Sequence, residues 1–291
     1  MPELLNNENW NFLLEDINNQ RCTPFLGAGV CYGVLPLGAD IAKTWAQDYG
    51  YPMDDSEDLI KVSQFLAVEQ YPMFPKDELV KLFQTLNKSP DFNDPEEPHR
   101  ALAELPLPIY ITTNYDDFMM KALKKRFRDP KREICRWNTL TQSRLSRFDE
   151  NYTPTAANPV VFHLHGHTEA AYSIVLTEDD YYDFLINVSR DQSLIPRPIE
   201  VALTETSLLF IGYGLRDWNF RVLLEGLHRF MERGLERKHL AVMLAPKVSP
   251  ERQQKVVDFL SAYYGRLNIQ VYWGTAREFL KELGERWRNS A

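Results

Sequence analysis

The stretch "PFLGAGV", residues 24–30, predicts a short buried strand that ends in a glycine-rich turn. Two different physical demands favour glycine at such a place. A tight turn needs a positive φ angle, whereas a phosphate-binding turn needs backbone N–H groups that reach the anion without an intervening side chain. Gly27, Ala28 and Gly29 are therefore either a structural turn or one wall of a phosphate site. The remainder of the chain has to decide between these two interpretations.

Apolar runs alternate with helical patterns along the rest of the chain. The first twenty residues carry apolar side chains near helical spacing and lead into the first strand. Five further apolar runs predict strands: PIYITTN (108–114), PVVFHLHGH (159–167), SLLFIGYG (207–214), HLAVMLAP (239–246) and NIQVYWG (268–274). Apolar strands that are each followed by a helix predict a doubly wound, Rossmann-like α/β fold with a mostly parallel sheet.

Residues 38–105 have a different pattern, because they hold helical periodicity without a strand candidate. Pro and Gly breaks separate the helices, as in a small helical module inserted after the first strand. We therefore predict a single domain over residues 1–291, with a helical insertion at about residues 38–105. Downstream, "YSIVLT" (172–177) predicts an edge strand or a hairpin, and Thr177 is the expected N-cap of the next helix.

Composition narrows the classes of partner. The 291 residues are 44% hydrophobic and 25% charged, which is ordinary for a globular chain with a sizeable core. A net charge of -8 argues against nonspecific binding to nucleic acid, so we expect no direct nucleic-acid partner. The basic strip at residues 124–133 is interpreted as a solvated helix end and loop, and a partner contact is its alternative.

Cysteine usage and the absence of long apolar runs indicate a cytoplasmic protein. Cys22, Cys31 and Cys135 are odd in number and lack CxxC spacing, so they cannot form a disulfide framework or a four-cysteine zinc site. The N-terminal sequence has no basic region followed by an apolar run, and no uninterrupted apolar stretch of about 18 residues occurs. We expect neither export by a standard signal nor a membrane contact.

Polar and glycine-rich residues follow four of the predicted strands. In a parallel sheet the carboxyl ends of the strands share one edge, where ligands bind. Taken singly, these residues can be explained by structural roles alone, as turns, helix caps or histidines whose hydrogen bonds are made inside the protein. Asp217 can be explained as an acidic residue in the first turn of its helix. Four such groups at one sheet edge favour a binding site. They are Gly27–Gly29, Thr112–Asp117, His163–His167, and Gly212–Gly214 with Arg216 and Asp217.

In that order, "FLGAGV", "TTNYDD", "HLHGH" and "LLFIGYGLRDWNFRVLL" resemble the sirtuin superfamily, and more closely its bacterial sirtuin-like branch than the protein deacetylases. The resemblance implies a Rossmann-like domain that binds NAD+, with a helical module after the first strand. It implies that Asn114 lies by the nicotinamide ribose and is needed for cleavage, that His165 acts as base on the ribose hydroxyls, and that Gly27, Ala28 and Gly29 meet the pyrophosphate. The further positions expected to bind NAD+ are Thr113, Asp116, Gly212, Tyr213 and Asp217.

The chemistry of the residues agrees with these roles. Nicotinamide departs as a neutral molecule from a cationic glycosidic nitrogen, and a neutral amide such as Asn114 can orient a water or a hydroxyl without pairing to the cation. A histidine of ordinary pKa, about 6.5, can accept a proton at neutral pH. We prefer His165 to His163 as the base because His165 precedes Gly166 at the carboxyl end of the strand, whereas His163 lies deeper. Asp116 has two interpretations, a ribose or turn contact and a cap of the following helix.

Departures from the deacetylases favour hydrolysis. The chain lacks their paired CxxC zinc module, and the loop "CYGVLPLGADIAKTW" (31–45) lacks the arginine that they carry there. Water is then expected to accept the ADP-ribosyl group, which gives nicotinamide and ADP-ribose. We expect no metal cofactor. The resemblance implies NAD+ depletion in bacterial anti-phage defence. Three alternatives stay open: a catalytically silent NAD or ADP-ribose sensor or assembly scaffold, a sirtuin-type deacylase, and a metal-dependent hydrolase that uses the "HLHGH" histidines as ligands.

Unregulated NAD+ hydrolysis would kill the host cell, so we expect control from outside the active domain. The resemblance suggests a separately encoded regulator, with a hexameric ATPase of the HerA type as first choice and an Argonaute-like protein as second. A homo-oligomer is also expected.

Overall fold

One sheet of parallel strands organises the protein. The computed structural model describes residues 5–150, 152–214, 237–245 and 248–290. Within these ranges seven strands pair in the order β3-β4-β2-β1-β5-β6-β7, and every pair is parallel. The Rossmann-like α/β prediction is confirmed. The strands are β1 (Cys22–Leu26), β2 (Ile109–Thr112), β3 (Lys131–Ile134), β4 (Val160–His163), β5 (Ser207–Ile211), β6 (His239–Met243) and β7 (Ile269–Trp273).

Helices connect the strands and cover the sheet. The α-helices of the described ranges are α1 (Asn7–Asn18), α2 (Gly38–Asp48), α3 (Leu59–Glu69), α4 (Phe74–Leu86), α5 (Pro98–Glu104), α6 (Phe118–Lys125), α7 (Thr139–Gln142), α8 (Glu178–Arg190), α9 (Arg197–Glu205), α10 (Pro250–Gly265) and α11 (Ala276–Ser290). A short 3-10 helix, Ala28–Cys31, follows β1 directly. In the part of the chain that the structure describes, no helix combines the length and the apolar character needed to cross a membrane.

Both faces of the sheet are buried, which explains the continuous apolar runs in the sequence. Successive side chains of a strand point to opposite faces. Phe25 and Phe210 meet on one face with ring centroids 5.3 Å apart, in a core closed by α8, α9 and α10. Leu26 and Leu209 belong to the core on the other face, which α1, α5, α6 and α11 cover.

Four helices, α2 to α5, lie between β1 and β2. Helices α2 to α4 share a third apolar cluster with Ile174 and Leu176, whereas α5 packs in the core of the sheet. A buried ion pair ties this helical module to α8, since Lys76 Nζ lies 2.6 Å from Asp180 Oδ1. Gln64 of α3 adds two hydrogen bonds to Asp179. The module is thereby held over one end of the sheet.

The chain leaves the centre of the sheet in two directions, because β1 leads toward β2 and β5 leads toward β6. Adjacent strands whose connections diverge leave a crevice at their carboxyl ends. The two loops at this crevice are joined by backbone hydrogen bonds: Gly27 N donates to Ile211 O at 2.8 Å and Gly29 N to Gly212 O at 2.8 Å. Gly212 has φ +88°, and a Cβ there would lie 2.6 Å from Gly27 O and Val30 N. Only glycine fits this position.

Several local predictions have clear outcomes. Thr177 is confirmed as N-cap, since it begins α8 and its side chain accepts a hydrogen bond from Asp180 N. The strand prediction for residues 172–177 is wrong: a 3-10 turn, Ala171–Ser173, occupies its start, and the following residues belong to no strand, although Val175 N donates one backbone hydrogen bond to His165 O. Tertiary packing of Ile174, Val175 and Leu176 explains their apolar character. The basic strip at residues 124–133, predicted as a helix end and loop, does contain the end of α6 at Lys125, but its last residues, Lys131 to Glu133, belong to edge strand β3. Helix α9 was not predicted. Asp217 and Arg216 lie outside the described residues.

Replacing Gly212 with alanine should lower the free energy of unfolding by at least about 2–3 kcal/mol, because the new Cβ is strained at positive φ and meets two backbone atoms. Urea unfolding followed by circular dichroism measures this. Gly265→Ala is the matched control, because a Cβ at Gly265 meets nothing within 4 Å. Equal stabilities of the two variants would contradict the packing role of Gly212.

Candidate active site

An open cleft lies between the carboxyl edge of the sheet and the helical module. The cleft has a volume of about 150 Å³ and is open to solvent. One wall comes from the loops that follow β1, β2, β4 and β5, and the opposite wall is apolar and comes from the module. The lining residues are Ala28, Cys31, Leu35, Pro36, Gly38, Ile41, Leu59, Leu79, Phe83, Thr113, Asn114, Tyr115, Asp116, His165, Tyr181 and Tyr213.

Asn114 follows β2 and is fixed on both its backbone and its side chain. Its N–H donates to Thr112 Oγ1 at 2.9 Å, which forms the turn that ends the strand. Its side-chain Nδ2 donates to Gly27 O at 3.1 Å and to Cys31 Sγ at 3.4 Å. Because both side-chain contacts come from the β1 loop, the amide is oriented before any ligand enters.

Hydroxyl groups join the β1, β2 and β5 loops beside this amide. The Thr113 and Tyr213 hydroxyls lie 3.0 Å apart, and both reach the carbonyl of Leu26, at 3.4 Å and 3.1 Å. Tyr213 is 8% exposed, so its ring closes the crevice between β1 and β5 while one side still faces the cleft.

His165 lies in the turn after β4 and lines the cleft with Asn114. The ring is only 4% exposed and packs edge-on against Tyr181 and Phe184, with centroids 5.3 Å and 5.1 Å away. Burial lowers the pKa of His165 to about 3, so the imidazole is neutral at physiological pH. Within the described residues, Nε2 is buried and has no hydrogen-bond partner. A neutral imidazole of this kind can accept a hydrogen bond from a ligand hydroxyl.

His163 has a different environment, because β4 ends at this residue and its ring lies behind Asn114. Its Nδ1–H donates to the Asn114 carbonyl at 3.1 Å, and its ring lies 4.7 Å from that of His167. Burial and then His167 lower the pKa of His163 to about 3. His163 thus supports the backbone of Asn114, whereas His165 lines the cleft. The choice of His165 as base stays a prediction.

A charged network continues from His167 to the surface. His167 Nε2 lies 3.3 Å from Asp117 Oδ1, and Arg132 pairs with both Asp117 and Glu169. Burial opposes ionisation of Asp117, but the contacts with His167 and Arg132 outweigh it and hold the pKa of this carboxyl below its ordinary value. The β2 and β4 loops are therefore linked behind the cleft as well as in front of it.

Asp116 caps the start of α6 and also lines the cleft. Its Oδ1 accepts the backbone N–H of Phe118 at 2.8 Å, which caps the start of α6. Its Oδ2 lies 3.4 Å from Cys31 Sγ, and the residue lines the cleft. The capping role is present, and a contact with substrate stays a prediction.

Glycines 27, 29 and 212 lie behind the cleft lining and bring the two loops together. A Cβ at Gly29 would lie 2.9 Å from the Cα of Gly212, and one at Gly27 would lie 2.8 Å from the Tyr213 ring. Close approach of two backbones thus accounts for these glycines. A pyrophosphate contact by this turn stays a prediction, and Ala28 is its residue that lines the cleft.

A family model described as a SIR2-like domain matches residues 108–269, more than half of the chain. The chain belongs to the SIR2-like family. The matched region runs from β2 to the start of β7 and contains Asn114 and His165. The resemblance to sirtuins is therefore confirmed.

Curated relatives of this SIR2-like chain carry the name of an NAD(+) hydrolase. It is 25% identical over 238 residues to NAD(+) hydrolase ThsA of Bacillus cereus, covering 81% of this chain and 46% of that protein. It is 21% identical over 295 residues to the ThsA of Acinetobacter baumannii, covering 95% and 55%. Defense-associated sirtuin 2 of Bacillus subtilis is 24% identical over 228 residues, covering 76% and 20%. The chain spans about half or less of the length of these relatives.

Sequence reasoning missed several lining residues of the SIR2-like cleft. The module contributes Ile41, Leu59, Leu79 and Phe83, whose helical periodicity indicates an apolar face but not what it covers. Tyr181 lies in α8, whose amphipathic pattern does not indicate a position at the cleft. Cys31 had been considered only for disulfide and zinc-cluster spacing.

The alternative that treats "HLHGH" as a metal site lacks a third ligand. In the described ranges, neither His163 nor His165 belongs to a group of three potential ligands whose donor atoms lie within 4.8 Å of one another. Their rings instead pack against different partners, His167 for the first and Tyr181 with Phe184 for the second.

Burial of His165 should make the SIR2-like fold sensitive to acid. The unfolded imidazole titrates near 6.5 and the folded one at about 3, so the unfolded state binds more protons between these values and stability falls as pH drops below about 6.5. Replacing His165 with asparagine should therefore reduce the loss of unfolding free energy between pH 7 and pH 5 by about 2 kcal/mol. Urea titrations at both pH values test this. An unchanged pH dependence would show that His165 is protonated in the folded protein.

Proposed function

We propose that this chain hydrolyses the N-glycosidic bond of NAD+ to give nicotinamide and ADP-ribose. The observation that carries the proposal is the common cleft of Asn114 and His165, a fixed neutral amide and a buried neutral imidazole at the carboxyl edge of a Rossmann-like sheet. Relatives named NAD(+) hydrolase support the same reaction.

The proposed reaction needs no redox partner and no covalent intermediate. The C1′–N bond of the nicotinamide riboside breaks, and its electron pair neutralises the pyridinium nitrogen as nicotinamide leaves. A water oxygen bonds to C1′ and releases one proton to solvent. Positive charge develops on the ribose while the bond breaks. Side chains that place partial negative charge toward the ribose therefore lower the activation barrier.

Asn114 is proposed to orient the attacking water or a ribose hydroxyl. Its Nδ2 group is already engaged by Gly27 O and Cys31 Sγ, so the amide keeps one orientation while the substrate binds. A group whose geometry is preset avoids the cost of reorganisation during the reaction. A neutral amide also forms no ion pair with the cationic nicotinamide of the bound substrate.

His165 is proposed to accept a hydrogen bond from a ribose hydroxyl through its unprotonated ring nitrogen. The low pKa keeps the imidazole neutral over the physiological range, so one ring nitrogen carries no proton and can accept without an added positive charge. A cationic imidazole at the same place would oppose the developing charge on the ribose.

The apolar wall of the module is proposed to receive the nicotinamide ring. Ile41, Leu79 and Phe83 face the polar loops across the cleft, and their side chains offer an aromatic ring a water-poor surface. Exclusion of bulk water on this side strengthens the electrostatic contacts made by Asn114 and His165. On the other side, the proposed pyrophosphate position is the β1 turn with Thr113 and Tyr213, and the adenine ribose is assigned to Asp217.

Turnover by variants tests the roles of the two residues. Asn114→Ala should lower kcat for nicotinamide release by about 100-fold or more, and His165→Asn by about 100- to 10,000-fold, with circular dichroism unchanged. Chromatography of nicotinamide and ADP-ribose measures both. Asn7→Ala, at an exposed helix start, and His239→Asn, at a buried site outside the cleft, are the matched controls. Wild-type turnover by either cleft variant would overturn its assigned role.

The assay is run with the chain alone and with a HerA-type ATPase or an Argonaute-like protein, because we propose that a separate regulator controls the reaction. Size-exclusion chromatography with light scattering tests the proposed homo-oligomer in the same samples. A protein that binds NAD+ but never cleaves it with any of these partners would overturn the hydrolase and leave the sensor.

We further propose that the reaction serves anti-phage defence by depletion of NAD+. The name of the Bacillus subtilis relative, a defense-associated sirtuin, supports this role. Cells that express the wild-type protein with its regulator should lose NAD+ after phage infection, and cells that express Asn114→Ala should not. Equal NAD+ levels in both, with the purified protein active, would separate the reaction from the defence role.

A further inference from the structure

A cysteine, a histidine and a carboxylate meet at the floor of the cleft, and the roles proposed for Asn114 and His165 do not require a metal there. Cys31 Sγ lies 3.9 Å from His99 Nε2 and 3.4 Å from Asp116 Oδ2. The three donor atoms lie within 4.8 Å of one another. They come from the 3-10 turn after β1, from α5 and from the loop after β2, so only the tertiary fold brings them together.

The two distances from the sulfur are close to the edges of a tetrahedral metal site. Zinc bonds of about 2.3 Å to sulfur and about 2.0–2.2 Å to nitrogen or oxygen place neighbouring ligand atoms about 3.4–3.6 Å apart. Both measured distances from Cys31 Sγ are within a few tenths of an ångström of these edges. Thiolate, imidazole and carboxylate together suit a borderline-soft ion better than magnesium or calcium.

A second and independent feature is the orientation of His99. Its Nδ1 lies 2.7 Å from Glu97 Oε1, and a carboxylate oxygen accepts, so Nδ1 is the donor in this hydrogen bond. The lone pair of Nε2 then points toward Cys31. This carboxylate–histidine arrangement is the one that orients most metal-binding histidines. Glu97 and His99 are 7% and 1% exposed, so the pair is held rigidly.

The site can also be reached from solvent, and its set of protein ligands leaves one coordination position open. Cys31 and Asp116 line the open cleft, which offers a path for an ion from solvent. Three protein ligands leave a fourth position for water, as in zinc sites that keep an open coordination place. Asn114 Nδ2 lies 3.4 Å from the same sulfur, so the site adjoins the proposed reaction centre.

We propose that Cys31, His99 and Asp116 form an inhibitory binding site for Zn²⁺ or a similar divalent cation. When the ion binds, a metal–sulfur bond forms and the thiol proton leaves to water. The ion brings two positive charges and the thiolate one negative charge, so the site gains one net positive charge. Beside a ribose that becomes cationic, this gain raises the barrier to cleavage. The inhibitory part rests on the proposed function, whereas the binding part does not.

Cobalt titration of the full chain without NAD+ tests the binding part. Wild type should bind one Co²⁺ per chain, with a thiolate-to-cobalt absorption band that Zn²⁺ abolishes by competition. Cys31→Ala should lose the band and at least about 10-fold in affinity. Cys22→Ala and Cys135→Ala, at the two other buried thiols, are the matched controls and should keep both. A band that survives in Cys31→Ala, or a wild type without stoichiometric Co²⁺, would overturn the site.

Glu97→Gln provides a second variant in case Cys31→Ala does not fold. It removes the charge that orients His99 but leaves all three ligands, so the band should persist while the affinity falls about 10- to 100-fold. Unchanged affinity in a folded Glu97→Gln protein would contradict the orienting role and, with it, the built site.

Turnover in the presence of Zn²⁺ tests the inhibitory part. Nicotinamide release by wild type and by Cys135→Ala should fall as Zn²⁺ fills the site measured with cobalt, and a chelator should restore it. An active enzyme that is unaffected at full occupancy would overturn the inhibition. A protein that binds Co²⁺ through Cys31 yet never cleaves NAD+ would uphold the metal site and overturn the proposed function instead.

Discussion

The contact between the loops after β1 and β5 is the constraint on which the cleft depends. Backbone hydrogen bonds from Gly27 and Gly29 reach Ile211 and Gly212 because none of the three glycines places a Cβ between the loops. The carbonyl of Gly27, positioned in this way, accepts the hydrogen bond from Asn114 Nδ2. A larger residue in this contact would move both the crevice and the amide that lines it.

The cleft combines rigid polar groups on one side with an apolar wall on the other. His163 supports the backbone of Asn114, and the β1 loop holds its side chain, so the amide is fixed from two directions. The His165 ring is kept neutral by burial alone. The buried pair of Lys76 and Asp180 anchors the apolar module opposite these groups. Neutral polar groups in a confined space suit a substrate whose positive charge moves during the reaction.

One short segment contributes to three features of the site. Residues 27–31 supply the glycine contact with β5, a carbonyl acceptor for Asn114 and the thiol that meets His99 and Asp116. The glycine contact positions the carbonyl and the thiol, because the 3-10 turn of Ala28–Cys31 starts directly at this contact. A cation at Cys31 would therefore act on the same loop that orients the amide.

The sequence by itself determined the class of fold and several positions at the sheet edge, because these depend on local patterns. Most of the buried apolar runs form strands, although Ile174–Leu176 do not, and the first residues after a strand lie at the carboxyl edge, as Thr113 and Asn114 do. Edge strand β3 has a charged sequence, KREI, that carries no such pattern. Only the tertiary structure decided why Gly27, Gly29 and Gly212 are glycines and which module residues face Asn114 and His165. Only the fold brought together Cys31 and His99, which are 68 positions apart. Contacts between distant segments depend on how whole elements pack, and local periodicity does not encode that packing.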